Sequence, residues 1–203
     1  MPDYSQIISH AEEFVQRTFT EDYSGHDPHH TFRVRALALR IAGQEGACLP
    51  IVELAALLHD VDDHKLSPET SENCLRAAEF LRREGVPADH IDRIVHIIQQ
   101  ISFSRNTLPP DSVEAQCVQD ADRLDAIGAI GIGRAFAFGG SRGRAMYDPD
   151  GVDSTTSIAH FYDKLLLLKA RMNTETGRRI AESRDHFLRS FLDEFLAEWN
   201  GDR

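Results

Sequence analysis

The sequence predicts an all-α protein that forms one domain over residues 1–203. Two patterns carry this expectation: apolar residues recur at helical spacing along most of the chain, and no stretch sustains the two-residue alternation of a half-buried strand. Composition agrees, since 41% hydrophobic and 27% charged residues suffice for one packed core without staples.

Seven or so helices are expected. The first runs from about Ser5 to Phe19 and ends at a polar loop through Ser24, Gly25 and Pro28. The second begins near His29 and carries the stripe Val34, Leu37 and Ile41. A short third helix, Ile51 to Asp60, is apolar on every face through Leu54, Ala55, Ala56, Leu57 and Leu58, which assigns it to the core. The fourth follows Ser67 and Pro68, a cap residue before a first-turn proline, and stops near Gly85. Pro87 opens a fifth, with Ile91, Ile94, Val95 and Ile98 on one side.

A loop from Asn106 to Asp111 leads into a long sixth helix, about Ser112 to Phe138, which Gly139, Gly140 and Gly143 break. The segment from Arg142 to Thr156 reads as irregular. Helices near Ser157 to Met172 and Thr176 to Trp199 complete the chain, the former with the core stripe Ile158, Phe161, Leu165, Leu168 and Met172. The glycines of Gly128-Ala129-Ile130-Gly131-Ile132-Gly133 lack the order and the preceding strand of a dinucleotide fingerprint, so they are read as close helix packing.

A formal net charge of −11 excludes general affinity for a nucleic-acid backbone, which needs a field of Lys and Arg. A small anion can still bind where a metal ion and a few basic residues reverse the sign locally. Cys48, Cys74 and Cys117 show no CxxC spacing, so neither a disulfide framework nor a thiolate zinc site is indicated. No signal peptide is seen among Asp3, Glu12, Glu13 and Arg17, and no apolar run is long enough for a membrane span. The expected location is cytoplasmic.

Five of the ten histidines fall between His26 and His64, among Asp27, Asp60, Asp62 and Asp63. Such clusters are candidate metal sites. His30 lies four, seven and eleven residues before Val34, Leu37 and Ile41, so it continues their stripe toward the core. His59 and Asp60 end the buried third helix, where an unpaired carboxylate would cost several kcal/mol or take up a proton. Asp122 and Asp125 share a face with Val118 and Ala129, whereas Asp120 points elsewhere and is expected in solvent. For Asp125 a hydrogen-bond acceptor role beside the metal ligands, or an ion pair with an arginine such as Arg123, is preferred to direct ligation.

In chain order the pattern is His30, then His59-Asp60, then Asp122. With it the sequence resembles the HD-domain superfamily of metal-dependent phosphohydrolases, whose signature is a histidine, an adjacent His-Asp pair and a later aspartate around a divalent ion. The matching motifs are His26-Asp27-Pro28-His29-His30, Leu57-Leu58-His59-Asp60 and Asp120-Ala121-Asp122-Arg123-Leu124-Asp125. The runs Gly143 to Pro149 and Met172 to Gly177 are similar to those of small stand-alone bacterial HD hydrolases. The resemblance implies an HD-type helical bundle that hydrolyses a phosphoester or phosphoanhydride bond of a small molecule, a nucleotide first among them. Pro28 departs from the family, where an aromatic residue is common, and this touches the pocket wall and not the ligands. Binuclear members add a second histidine pair, but His90 and His96 are six residues apart, about 240° around a helix, and do not face one ion.

One divalent ion is therefore expected, on two imidazoles and two carboxylates. This mixed set suits Mn, Fe, Co, Ni or Zn better than Mg, with Mn preferred. Directly after the doublet, Asp63 is a candidate to orient the attacking water and Lys65 to bind a nonbridging phosphate oxygen. His29, Arg142 and Arg144 are further candidates for substrate binding, the two arginines because flexible glycines flank them. His96 could contribute to the site or sit in the core, and His160 and Lys164 are expected at the surface. The rivals are an HD-fold di-iron oxygenase, which needs a second metal, and a catalytically silent nucleotide-binding or regulatory module. A monomer or homodimer is expected.

Overall fold

The structure is a computed structural model that describes residues 2–19, 28–62, 74–101 and 109–203. Among the described residues the regular structure is helical, with no strand, and its α-helices are α1 (Tyr4–Thr18), α2 (Pro28–Glu45), α3 (Leu49–Leu58), α4 (Leu75–Arg83), α5 (Ala88–Ile101), α6 (Val113–Asp125), α7 (Gly128–Ser141), α8 (Ser157–Asp163) and α9 (Glu175–Asn200). The chain divides into two compact units, Met1–Asp122 and Arg123–Arg203.

In the first unit α3 is the hub. Ile51, Val52 and every residue from Leu54 to Leu58 are fully buried, as a sequence apolar but for Glu53 requires. Helices α1, α2 and α5 pack around it, and α4 packs on α5. The starts of these helices follow local chemistry. Asp3 caps α1 by accepting from the N–H groups of Ser5 and Gln6 at 3.1 and 3.4 Å. Pro28 opens α2 and Pro50 lies in the first turn of α3, where a missing N–H costs nothing. Ser112 Oγ accepts from the Ala115 N–H at 3.2 Å at the start of α6.

In the second unit α7 packs along α9, whose Thr174 cap accepts from the Gly177 N–H at 2.9 Å. A chain of aromatic contacts runs through this unit, from Phe136 to Phe161, Phe191 and Phe195 and on to Trp199.

Two helices expected to be continuous are interrupted. The expected helix from Ser112 to Phe138 stops at Asp125 and restarts at Gly128, because Gly128 adopts φ +77° and a Cβ there would lie 3.1 Å from Arg184 Cγ. The expected helix from Ser157 to Met172 gives way after Asp163 to two 3-10 turns, Leu165–Leu167 and Lys169–Arg171. Its apolar stripe is nevertheless buried at Ile158, Phe161, Leu165, Leu168 and Met172, since a 3-10 period of three keeps those residues inward about as well as a period of 3.6.

Close packing explains one glycine of the Gly128 to Gly133 run and not another. A Cβ on Gly131 would lie 2.2 Å from the Ala126 carbonyl oxygen, whereas one on Gly133 meets nothing within 4 Å. Gly131→Ala should therefore destabilise the protein by about 1–3 kcal/mol through overpacking against rigid backbone. Gly133→Ala, on an exposed face inside α7, should stabilise it by about 0.5–1 kcal/mol. Urea unfolding of both variants checks the pair, and equal shifts of the two midpoints would contradict the packing argument.

Candidate metal centre

The first unit brings the three sequence elements together. Helix α2 packs along α3, so His30 in its first turn, 2% exposed, meets the end of α3, where His59 forms the C-cap and Asp60 the following turn. Helix α6 supplies Asp122. It is tied to the rest of the unit by Gln119, which donates to the Gln100 carbonyl at 2.9 Å, and by Glu114, which accepts from the Cys48 N–H at 3.1 Å.

His30 Nε2 lies 3.4 Å from Asp60 Oδ2 and 3.5 Å from Asp122 Oδ1, and His59 Nε2 lies 3.3 Å from Asp60 Oδ1. One donor atom each from His30, His59 and Asp122 lie within 4.8 Å of one another. The two imidazole rings sit edge to face, with centroids 5.5 Å apart.

Protonation states follow from the hydrogen bonds. His59 Nδ1 is 2.8 Å from the Ala56 carbonyl oxygen, which can only accept, so Nδ1 carries a proton. In the neutral ring this leaves a lone pair on Nε2, the atom facing Asp60. That atom is buried and has no hydrogen-bond partner among the described residues. A lone pair set against a carboxylate in a buried site is unfavourable unless a cation lies between them. Two donors about 2.1 Å from one ion can be at most about 4.2 Å apart, and the His30–Asp60, His30–Asp122 and His59–Asp60 separations of 3.3 to 3.5 Å fall inside that reach. The donor set therefore fits a divalent metal ion. Nδ1–H to a backbone carbonyl is also the support that metal-binding histidines commonly use. Asp122 is the most open of the group, its side chain 32% exposed against 13% for Asp60 and 2% for His30. It marks the side from which a ligand can approach.

The other sequence candidates fall in several places. Asp63 and Lys65, with His26 and His64, lie outside the described residues. His29 is exposed. Arg142 and Arg144 are exposed in the second unit, where both guanidinium groups stand over the Phe138 ring, at 5.5 and 5.4 Å from its centroid. His160 is half-buried instead of exposed, and desolvation, then Lys164 and Arg144, hold it below the usual histidine range.

His96 is neither in the core nor at the cluster. It is exposed and bonded to Asp111 at 2.8 Å, while His90 is bonded to the Tyr4 hydroxyl. Asp120 is fully buried, contrary to its expected exposure, because α6 is enclosed on several faces, with Ala115, Cys117, Val118 and Ala121 also buried. Asp125 is buried in an ion pair, but its partner is Arg134 at 2.8 Å and not Arg123, which donates to the Arg171 carbonyl. Burial, then the nearby Glu45, Asp120 and Glu114, push the Cys117 thiol up to about 12, so it stays protonated and inert.

An excess of Mn2+ at 100 times its dissociation constant should raise the stability of the wild-type protein by about 2.7 kcal/mol. His59→Ala should abolish that gain, as thermal unfolding with and without the ion would reveal. An undiminished metal-induced shift in the variant would remove His59 from the cluster's role.

The sequence profile of the HD domain matches residues 29–127. The chain is 46% identical over 182 residues to Uncharacterized protein YpgQ of Bacillus subtilis (strain 168), covering 88% of this chain and 87% of that relative. Among solved structures it is similar to an HD-superfamily hydrolase from Bacillus thuringiensis, with a TM-score of 0.82 and 40% identity over 97% of this chain and 98% of the other. It is equally similar to Bacillus subtilis YpgQ in complex with ADP, with a TM-score of 0.82 and 39% identity over 96% and 95% of the two chains. The profile takes in His30, His59, Asp60 and Asp122, and the likeness continues over nearly the whole chain, so this protein belongs to the HD-domain family.

Proposed function

We propose that this protein is a metal-dependent phosphohydrolase acting on a small molecule, with nucleotides as the first substrate class, and that His30, His59, Asp60 and Asp122 hold one divalent ion. The observation that carries the reading is the buried His59 Nε2, which faces the Asp60 and Asp122 carboxylates with no hydrogen-bond partner among the described residues. The likeness to YpgQ, crystallised with ADP, supports the nucleotide class. Mn is the preferred ion, with Fe, Co, Ni, Zn and Mg as alternatives.

When bound, the ion would supply a Lewis acid that activates water and neutralises charge on a phosphoryl group. The chain's own part is positional. The Ala56 carbonyl fixes the His59 ring through Nδ1, and α2 and α6 hold His30 and Asp122 against the doublet. Asp63 orients the attacking water, Lys65 meets a nonbridging oxygen whose charge grows in the transition state, and Arg142, Arg144 and His29 bind the remainder of the substrate. His90 and His96 are engaged with Tyr4 and Asp111, which favours one ion over the pair a di-iron oxygenase would need. No helix among the described residues is long and apolar enough to cross a membrane. The protein works in the cytoplasm as a monomer or homodimer, without a nucleic-acid polymer as partner.

A panel of nucleotides assayed with Mn, Mg, Co and Fe, with identification of the released product, tests the function. Metal-dependent release of phosphate or pyrophosphate is expected, and Asp60→Ala should abolish both turnover and metal retention in a folded protein. Metal binding without turnover on any substrate would instead favour a silent nucleotide-binding module. Lys65→Ala should lower kcat/KM by about 10²-fold, the scale of one preorganised electrostatic donor, while metal content stays at the wild-type level. Near-wild-type kcat/KM in that variant would take Lys65 out of the site.

A further inference from the structure

The turn that carries the His-Asp doublet continues into Asp62, a carboxylate that does not belong to the cluster and is only 4% exposed. Its partners are the first N–H groups of α4. Asp62 Oδ1 accepts from the Arg76 N–H at 3.2 Å and Oδ2 from the Ala77 N–H at 3.0 Å. The residue that should cap this helix by its place in the chain, Cys74, adopts the left-handed conformation at φ +50° and makes no side-chain cap bond. Asp62 thus caps α4 from a distant position in sequence and sets a negative charge on the positive end of the helix dipole.

The link is reciprocal. Arg76, in the first turn of α4, returns a bond from Nη1 to the Val61 carbonyl at 3.0 Å, and its Nη2 reaches Thr18 Oγ1 at 3.4 Å on α1. Three hydrogen bonds therefore clamp Val61 and Asp62 to the start of α4, and a fourth ties the clamp to α1. Among the described residues, helical bonding in α3 ends at Leu58 and the next backbone bond is a 3.3 Å contact from the Val61 N–H to the Leu58 carbonyl, so the clamp supplies most of the hydrogen bonds on this turn's backbone and on Asp62. Asp60 precedes the clamped pair directly, so the direction of its carboxylate depends on backbone angles that the clamp holds.

We infer that Asp62 is a positioning residue for the metal centre, locking the doublet turn to α4 so that Asp60 and His59 are set for the ion before it arrives. This rests on the reading of His30, His59, Asp60 and Asp122 as the ion's ligands. Loss of the clamp weakens metal binding beyond any effect on folding, because a mobile turn must be ordered when the ion binds.

The test is calorimetric titration of metal-free protein with Mn2+, together with thermal unfolding, for the wild type, Asp62→Ala, Asp62→Asn and Asp3→Ala. Asp3→Ala removes an equivalent carboxylate cap from α1 and serves as the control for stability alone. Asp62→Ala is expected to weaken Mn2+ affinity by about 10- to 100-fold, the range found when groups that orient metal ligands are removed. Asp62→Asn, whose carbonyl oxygen still accepts one N–H while the other loses its acceptor, should lose only several-fold, and Asp3→Ala should bind as the wild type does. If Asp62→Ala does not fold, a several-fold loss in Asp62→Asn with wild-type binding in Asp3→Ala supports the inference, and no loss in Asp62→Asn overturns it. Wild-type affinity in Asp62→Ala, or affinity falling in Asp3→Ala as well, in step with melting temperature, also overturns it. Absence of Mn2+ binding to the wild type would instead overturn the reading of the centre, and this inference with it.

Discussion

Two carboxylates and two imidazoles crowded into one mostly buried corner are the constraint around which the first unit is arranged. A doubly protonated His30 could offset one negative charge, since it lies 3.4 Å from Asp60 and 3.5 Å from Asp122. It would leave the second carboxylate uncompensated, and it would do nothing for His59, whose Nδ1 proton is committed to Ala56 and whose Nε2 is buried. One small divalent cation answers all three needs at once: it balances both carboxylates and accepts both ring lone pairs. The surrounding helices can then be understood by what they contribute to this corner. Helix α3 is buried without a polar residue from Leu54 to Leu58, so the core itself carries the doublet to its position. Helix α2 adds His30 at the end of its buried stripe, and α6 brings Asp122 through ties to α3 and α5.

Burial also sorts the aspartates that follow one another around the doublet and on α6. Asp60 and Asp122 face the cluster, the latter partly open to solvent. Asp62 faces helix N–H groups, and Asp125 faces the guanidinium of Arg134. None of the four is a lone buried charge, and three kinds of partner achieve this: the proposed ion for Asp60 and Asp122, a helix N-terminus for Asp62 and an arginine for Asp125. A carboxylate's neighbours, not its place in a motif, therefore decide its role.

What the sequence made legible is what periodicity and local chemistry control. The apolar run of α3 and the inward face of His30 depend on residues within a turn or two of each other, and the structure agrees with them, whereas the cap and proline read at Ser67 and Pro68 lie outside the described residues. Contacts between distant segments were not legible. The break between α6 and α7 falls where Gly128 takes φ +77° with Arg184 packed against it, and no spacing within residues 112–138 announces it. Asp120 could not be recognised as buried because a helix enclosed on several faces need not be apolar on all of them. Arg123 is the nearer arginine to Asp125 in sequence, yet residues two apart on a helix diverge by about 200°, and Arg134, reached across the break at Gly128, is the one that pairs. Asp62 was hidden for a related reason. Within Asp62-Asp63-His64-Lys65 it reads as one more charge on a solvated loop, and only the placement of α4 fifteen residues on turns it into a cap.

On the proposed reading, the charge of the chain bears on the order of events. The protein carries a formal net charge of −11, and the centre adds two carboxylates at the point where a phosphate would have to sit. Without a cation such a site repels its own substrate, because at separations of a few ångströms screening by salt is slight. If the ion is the one proposed, substrate affinity is coupled to its occupancy, and by linkage a bound phosphate would in turn tighten the hold on the ion. Preorganising the doublet before the ion arrives thus serves both steps, as whatever secures the metal secures the phosphate that follows it.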